Sequence, residues 1–178
     1  MVLIESHAME QVRTLSDRIA AATRRFLRAK NRAAALAWTA VAAIAAFIFF
    51  MSAKDGATID AGSGVLSVVK GMLADALAAV AGHPVDVSPI GHFAEFFLFG
   101  AALANALRFH MPLRRAMGSA CVFASLYGIS DEIHQIFVPS RTCDPLDWAV
   151  DTVAAVIGAA LVASAVRRLR SAGATPTP

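Results

Sequence analysis

AAALAWTAVAAIAAFIFFMSA, residues 33–53, carries no charge between Arg32 and Lys54. As a helix rising ~1.5 Å per residue, it is long enough to cross the roughly 30 Å hydrocarbon core of a bilayer. The rest of the chain agrees with that reading. Hydrophobic residues make up 57% of the 178 and the mean hydropathy is +0.60, whereas ordinary soluble domains are about 45–50% apolar. The expected class is all-α: an integral membrane bundle of four transmembrane helices.

The other spans follow from start and stop signals. Ser88 can cap a helix and Pro89 suits its first turn, so a second span is expected over 88–107, stopped by Arg108. A third is expected from Ala116 to Phe137, because Val138-Pro139 disfavours continuation. A fourth starts at Asp144-Pro145 and closes at Arg167-Arg168-Leu169-Arg170. Two further helices flank the first span. Before it, Val12, Leu15, Ile19, Ala22 and Phe26 recur at helical steps among Arg13, Arg18, Arg24, Arg25 and Arg28, as in a basic amphipathic helix on an anionic membrane surface, with a solvated tail before the membrane as the equal alternative. After it, Val65 to Val80 forms an apolar stretch interrupted by Lys70 and Asp75, which are costly at mid-bilayer, so an interfacial helix is expected. Three segments result: a basic cytoplasmic stretch (1–32), the transmembrane domain (33–170) and a small-residue, Pro-rich tail (171–178) expected to be disordered.

Lysine and arginine set the expected orientation. They concentrate before the first span, between the second and third (Arg108, Arg114, Arg115) and after the fourth, and thin out at Lys54, Lys70 and Arg141. This is the positive-inside pattern with both termini cytoplasmic. The net charge of +3 therefore reports topology, and no nucleic-acid partner is expected. Cys121 and Cys143 do not suggest a disulfide framework.

With this topology the acids of three spans share a level. Glu95 lies six residues in from Pro89, Asp131 six from Phe137 and Asp151 six from Pro145, each ~9 Å from the outer end. His92 and His134 each lie ~5 Å in. The candidate pocket is His92, Glu95, Asp131, Glu132, His134, Gln135, Arg141, Asp147 and Asp151. Its acids face a single full cation, Arg141, so protons, a cation or a ligand group must neutralise some of them.

Plainer readings exist for several of these residues. Asp144 is most simply an N-cap, and Asp147 a first-turn acid favoured by the helix dipole. His92 and Glu95, three apart, can interact with each other. Trp148 reads as an interfacial belt residue, and Gly100, Ala104, Gly118, Gly128 and Gly158 as sites of close helix packing. Asp131-Glu132-Ile133-His134 is no helicase box without a phosphate-binding loop, and His92-Phe93-Ala94-Glu95 lacks zincin spacing. No cofactor is indicated, and metal binding is left open.

Gly91-His92-Phe93-Ala94-Glu95-Phe96, then Ser130-Asp131-Glu132-Ile133-His134-Gln135-Ile136-Phe137-Val138-Pro139-Ser140-Arg141, then Asp147 and Asp151 before Gly158, together resemble the VanZ-like membrane proteins. Phe50-Met51-Ser52 with Asp55-Gly56 resembles that family's looser motif after its first helix. Ser140 departs from the glycine expected before the arginine, and the N-terminal segment has no counterpart in the family. The resemblance implies a bacterial cell-membrane protein linked to glycopeptide (teicoplanin-type) susceptibility, and it assigns no residue a catalytic role. The functional expectation is an outward-facing acidic pocket that binds a cell-envelope component, an envelope lipid or a peptidoglycan precursor. One alternative is an intramembrane enzyme, with His134 or Glu132 as base beside a cation held by Glu95, Asp131 and Asp151. A purely structural bundle is the third reading.

Overall fold

In the computed structural model, residues 2–54, 65–85, 87–139 and 141–173 are described. Five helices follow in order: α1 (Val2–Ser52), α2 (Val65–Ala81), α3 (Ser88–Leu107), α4 (Leu113–Gln135) and α5 (Pro145–Ala172). Among the described residues there is no strand. The Asp55-Gly56 break, Ser140 and the tail from residue 174 lie outside them.

The chain divides into two compact units, Met1–Leu36 and Ala37–Pro178. The first is helical, with Ile19, Phe26 and Leu27 exposed among its arginines. An amphipathic segment ending at residue 32 was expected to precede a separate span. Instead α1 is one helix of 51 residues. No glycine or proline occurs between Val2 and Ser52, so nothing there interrupts helix propagation.

Three helices are long and apolar enough to cross a membrane: Ser16–Ser52, Pro89–Leu107 and Pro145–Ala172. By length and composition α4 does not join them, because Arg114 and Arg115 at its start and Asp131 and Glu132 near its end lower its apolarity. It starts three residues earlier than expected, after Pro112 in the N-cap position, and it ends two residues earlier. The Val138 N–H then bonds the Gln135 carbonyl at 3.0 Å in a closing turn. Proline cannot donate in a helix but fits just before its first turn, and that sets the new boundary.

Helices α3, α4 and α5 pack against one another in all three pairings. Their buried faces are built from small residues, Ala116, Ala120, Ala124 and Gly128 on α4 and Ala154, Ala155, Gly158 and Ala159 on α5. The large apolar residues point outward, including Val122, Phe123 and Leu126 on α4 and Val156, Ile157 and Leu161 on α5. A water-soluble bundle shows the opposite arrangement. Small residues inside and large ones outside are what helix packing in lipid favours, because apolar side chains gain nothing by hiding from acyl chains.

The C-terminal part of α1 joins this packing through Ala37, Val41 and Ile48, which belong to the same core. Tyr127 donates to the Ala45 carbonyl at 2.7 Å, and Trp38 Nε1 donates to His110 Nε2 at 3.0 Å. Helix α2 ends at Gly82, whose φ of +76° lets its N–H reach the Ala78 carbonyl at 2.8 Å. That left-handed conformation is cheap only for glycine.

Candidate functional site

Helix α3 begins at Ser88 itself, with Val87 at the cap position and no side-chain capping bond, so Ser88 is not the cap expected of it. Pro89 does occupy the first turn. One turn on, His92 is buried, and its Nδ1 stands 3.5 Å from Asp151 Oδ1 on α5. That is an ion-pair distance and long for a hydrogen bond. Asp151 is fully buried, and neither of its oxygens has a hydrogen-bond partner. Expectation had paired His92 with His134 by depth, or with Glu95 by spacing. The geometry instead joins His92 to an acid about one turn deeper on a neighbouring helix.

The end of α4 supplies the next layer. Asp131, Glu132 and Gln135 are all buried. Gln135 Nε2 donates to Asp131 Oδ2 at 3.2 Å, a bond between positions four apart on one face. Glu132 Oε2 accepts the Asp144 N–H at 2.7 Å, which ties the end of α4 to the start of α5. Its other oxygen, Oε1, is buried without a partner. Asp144 caps α5 as expected, accepting the Leu146 N–H at 2.8 Å. Glu132 thus has a structural bond as well as a free acceptor. Glu132→Ala should destabilise the protein by about 1.5–3 kcal/mol, the range for a bond to a charged group. Glu132→Gln, which keeps an acceptor oxygen, should cost less. Thermal unfolding of the two variants in detergent checks this order, and equal melting points would contradict it.

Charge connects the remaining acids to this layer. Glu95 is half-buried and interacts electrostatically with His92, Asp131, Asp151 and Arg141. Asp147, in the first turn of α5, acts likewise on His92, Glu132 and Asp151. The acids of three helices therefore form one cluster.

His134 makes its contacts elsewhere, and Arg141 reaches the cluster only through its charge on Glu95. His134 stacks on Phe49 of α1, with ring centroids 4.7 Å apart and planes 30° apart, and its Nε2 is buried without a partner. Arg141 Nε donates to the Lys54 carbonyl at 3.4 Å, so this guanidinium leans toward the end of α1. Among the described residues no ion pair joins it to an acid of the cluster.

Some contributors were not anticipated. Phe49 forms the wall behind His134, and Ser52, one turn further, is buried with its hydroxyl unpartnered. Phe49 sits in an apolar run where every aromatic looks lipid-facing, so only the position of α4 could have singled it out. Trp148 is more than an interfacial belt residue. Its indole N–H reaches the Ser125 carbonyl at 3.2 Å and hydroxyl at 3.1 Å, and Ser125 in turn bonds Thr152 at 3.0 Å. The Trp148 ring also covers Gly128, where an added Cβ would lie 3.3 Å from it.

The cluster is therefore rich in acceptors and poor in donors. A buried carboxylate without a partner costs several kcal/mol in a low-dielectric interior. An arrangement like this suits a group that brings donors or positive charge, such as an ammonium or a set of hydroxyls. Among the described residues no group of three or more His, Cys, Asp or Glu side chains is placed to hold a metal ion.

A family model described as VanZ/LLP1 matches residues 37–167. No curated protein and no solved structure matches the chain.

Proposed function

The chain belongs to the VanZ/LLP1 family, and we propose that it is a four-span protein of the bacterial plasma membrane whose acidic cluster faces outward and binds a cell-envelope component. The carrying observation is Asp151, fully buried with neither oxygen hydrogen-bonded and His92 Nδ1 3.5 Å from one of them, beside Glu132 with one more free acceptor. A ligand's ammonium or hydroxyl groups would fill these acceptors, and Arg141 would meet phosphate or carboxylate. Lipid-linked and peptidoglycan-precursor groups carry both kinds of chemistry.

The fourth span is α4. Its 23 residues reach ~34 Å at ~1.5 Å each, and its outward face is large and apolar. Its charged residues sit in its first and last turns or on the buried face, where a membrane helix tolerates them. With four spans the lysine and arginine distribution keeps both termini cytoplasmic. Cys143 is exposed in the loop after α4, and Cys121 is half-buried within α4. A membrane-impermeant maleimide should label Cys143 in intact cells and leave Cys121 untouched. Labelling of Cys143 only after permeabilisation would overturn this four-span topology with both termini inside.

Teicoplanin susceptibility is the phenotype to measure. Expression of the wild type should shift it, and Asp151→Asn, nearly isosteric but uncharged, should abolish the shift at equal membrane abundance. An unchanged shift in that variant would remove the cluster from the function. The cation-assisted enzyme gains no support from the side-chain arrangement, which gathers no metal-ligand group among the described residues.

A further inference from the structure

At the end of α4 remote from the acids, a cavity of about 560 Å³ is lined by Met111, Arg115, Gly118, Ser119, Val122 and Phe123. Residues 115, 118, 119, 122 and 123 share one helix face at three- and four-residue steps, so the cavity is a groove running along α4. Gly118 is not the close-packing site expected of it: a Cβ there would meet nothing within 4 Å, so the middle of the groove is open. Met111 forms one wall and is held by the Ser119 hydroxyl at 3.8 Å from its sulfur.

The groove is polar at one end and apolar at the other. Arg115 is exposed at the start of α4, and among the described residues no hydrogen bond or ion pair ties it down. Arg108, at the end of α3, is engaged, with Nε on Asn105 at 2.7 Å and its guanidinium over the Phe109 ring. From Arg115 to Phe123 the helix descends ~12 Å at ~1.5 Å per residue. Val122 and Phe123, more than half exposed, line the lower part.

The surrounding charge has one sign. Helices α3, α4 and α5 alternate in direction, so Arg108, Arg114, Arg115, Arg167, Arg168 and Arg170 gather at this end of the bundle. Neither 96–130 nor 152–178 contains an Asp or Glu. The end is therefore strongly basic with no acid from these stretches to compensate it.

We infer that this groove holds an anionic phospholipid of the inner leaflet, its phosphate against Arg115 and an acyl chain along Gly118, Val122 and Phe123. A basic site at the membrane interface beside an apolar channel favours such a lipid over a zwitterionic one, because the headgroup meets uncompensated positive charge. The inference rests on the four-span reading, which puts the outer face of α4 in lipid.

Native mass spectrometry of the detergent-purified full chain, titrated with phosphatidylglycerol or phosphatidylcholine, tests it. Phosphatidylglycerol should be retained about tenfold more strongly, roughly 1.4 kcal/mol. Arg115→Gln should remove that preference, and so should Gly118→Leu, which fills the groove and leaves the charge intact. Arg114→Gln, outside the lining, should keep it. Melting points without added lipid show that each variant is folded. Equal retention of the two lipids, or a preference that survives both groove variants, overturns the inference. So does glycerol phosphate being retained as strongly as the lipid, which would mean a soluble anion site. If Cys143 labels from outside and there is no lipid preference, the groove assignment falls and the four-span reading stands. If Cys143 labels only after permeabilisation, that reading falls and takes the inner-leaflet assignment with it.

Discussion

Replacing Gly158 with leucine is expected to keep α3 and α5 from closing on each other, leaving little folded protein. A Cβ at Gly158 would overlap the Phe97 carbonyl oxygen and stand 3.0 Å from the Phe97 carbonyl carbon and 3.1 Å from the Ala101 nitrogen. All three are backbone atoms, so no side chain can rotate out of the way. The same contact recurs from the other side one turn along, where a Cβ at Gly100 would overlap the Ala155 carbonyl. The two helices therefore meet backbone to backbone at two successive turns, and the small residues exist to permit it. Overpacking typically costs about 1–3 kcal/mol, occasionally more. Gly158→Ala belongs in that range, and the full leucine belongs above it. Gly71→Ala in α2, where nothing lies within 4 Å, is the control and should gain roughly 0.5–1 kcal/mol from helix propensity. Size-exclusion profiles and melting points of detergent extracts decide the matter. A monodisperse Gly158→Leu protein melting like the wild type would show that the helices do not approach this closely.

That close approach also explains which parts of the molecule could be read from sequence. Helix existence depends on uncharged length and on stop signals, both of which are local. Asp144-Pro145 foretold the start and cap of α5, and Arg108 the end of α3. Ser88 misled because a helix can start on a serine as readily as after one, and the choice depends on Val87 and its surroundings. Continuity of α1 through residue 32 was hidden because a change from basic to apolar composition resembles a boundary, although the backbone has no reason to break there. Depth along a helix was also legible, at ~1.5 Å per residue, so the acids of three helices were expected together. Azimuth was not legible. Which side of α4 faces α1 and which faces α5 depends on helix rotation, and rotation is set by contacts such as Gly128 with Trp148 and Phe96. That is why His134 turns to Phe49 and His92 to Asp151, although depth alone would have grouped them otherwise.

The His92–Asp151 contact can separate a functional site from a scaffold, because the two make opposite demands on a double variant. His92→Phe removes the side chain that stands at ion-pair distance from a fully buried acid and should cost on the order of 3–5 kcal/mol, the usual penalty for stranding one member of a buried pair. Asp151→Leu added to it removes the stranded charge and also the repulsion that Asp147 and Asp131 exert on it. Replacing a buried ionic pair by apolar residues of similar volume is often neutral or stabilising, so the double variant should recover most or all of the lost stability. If the pair serves only the fold, function should recover along with stability. If Asp151 offers its oxygens to a ligand, the double variant should be well folded and without effect on teicoplanin susceptibility. Melting points of wild type, both single variants and the double variant close the cycle, with susceptibility measured on the same four strains at matched abundance. A double variant as unstable as His92→Phe alone would mean that the unpaired carboxylate is not what destabilises the single change. A stable double variant with full activity would leave the cluster as packing, and the three oxygens of Asp151 and Glu132 without a hydrogen bond as a cost the bundle carries for no ligand.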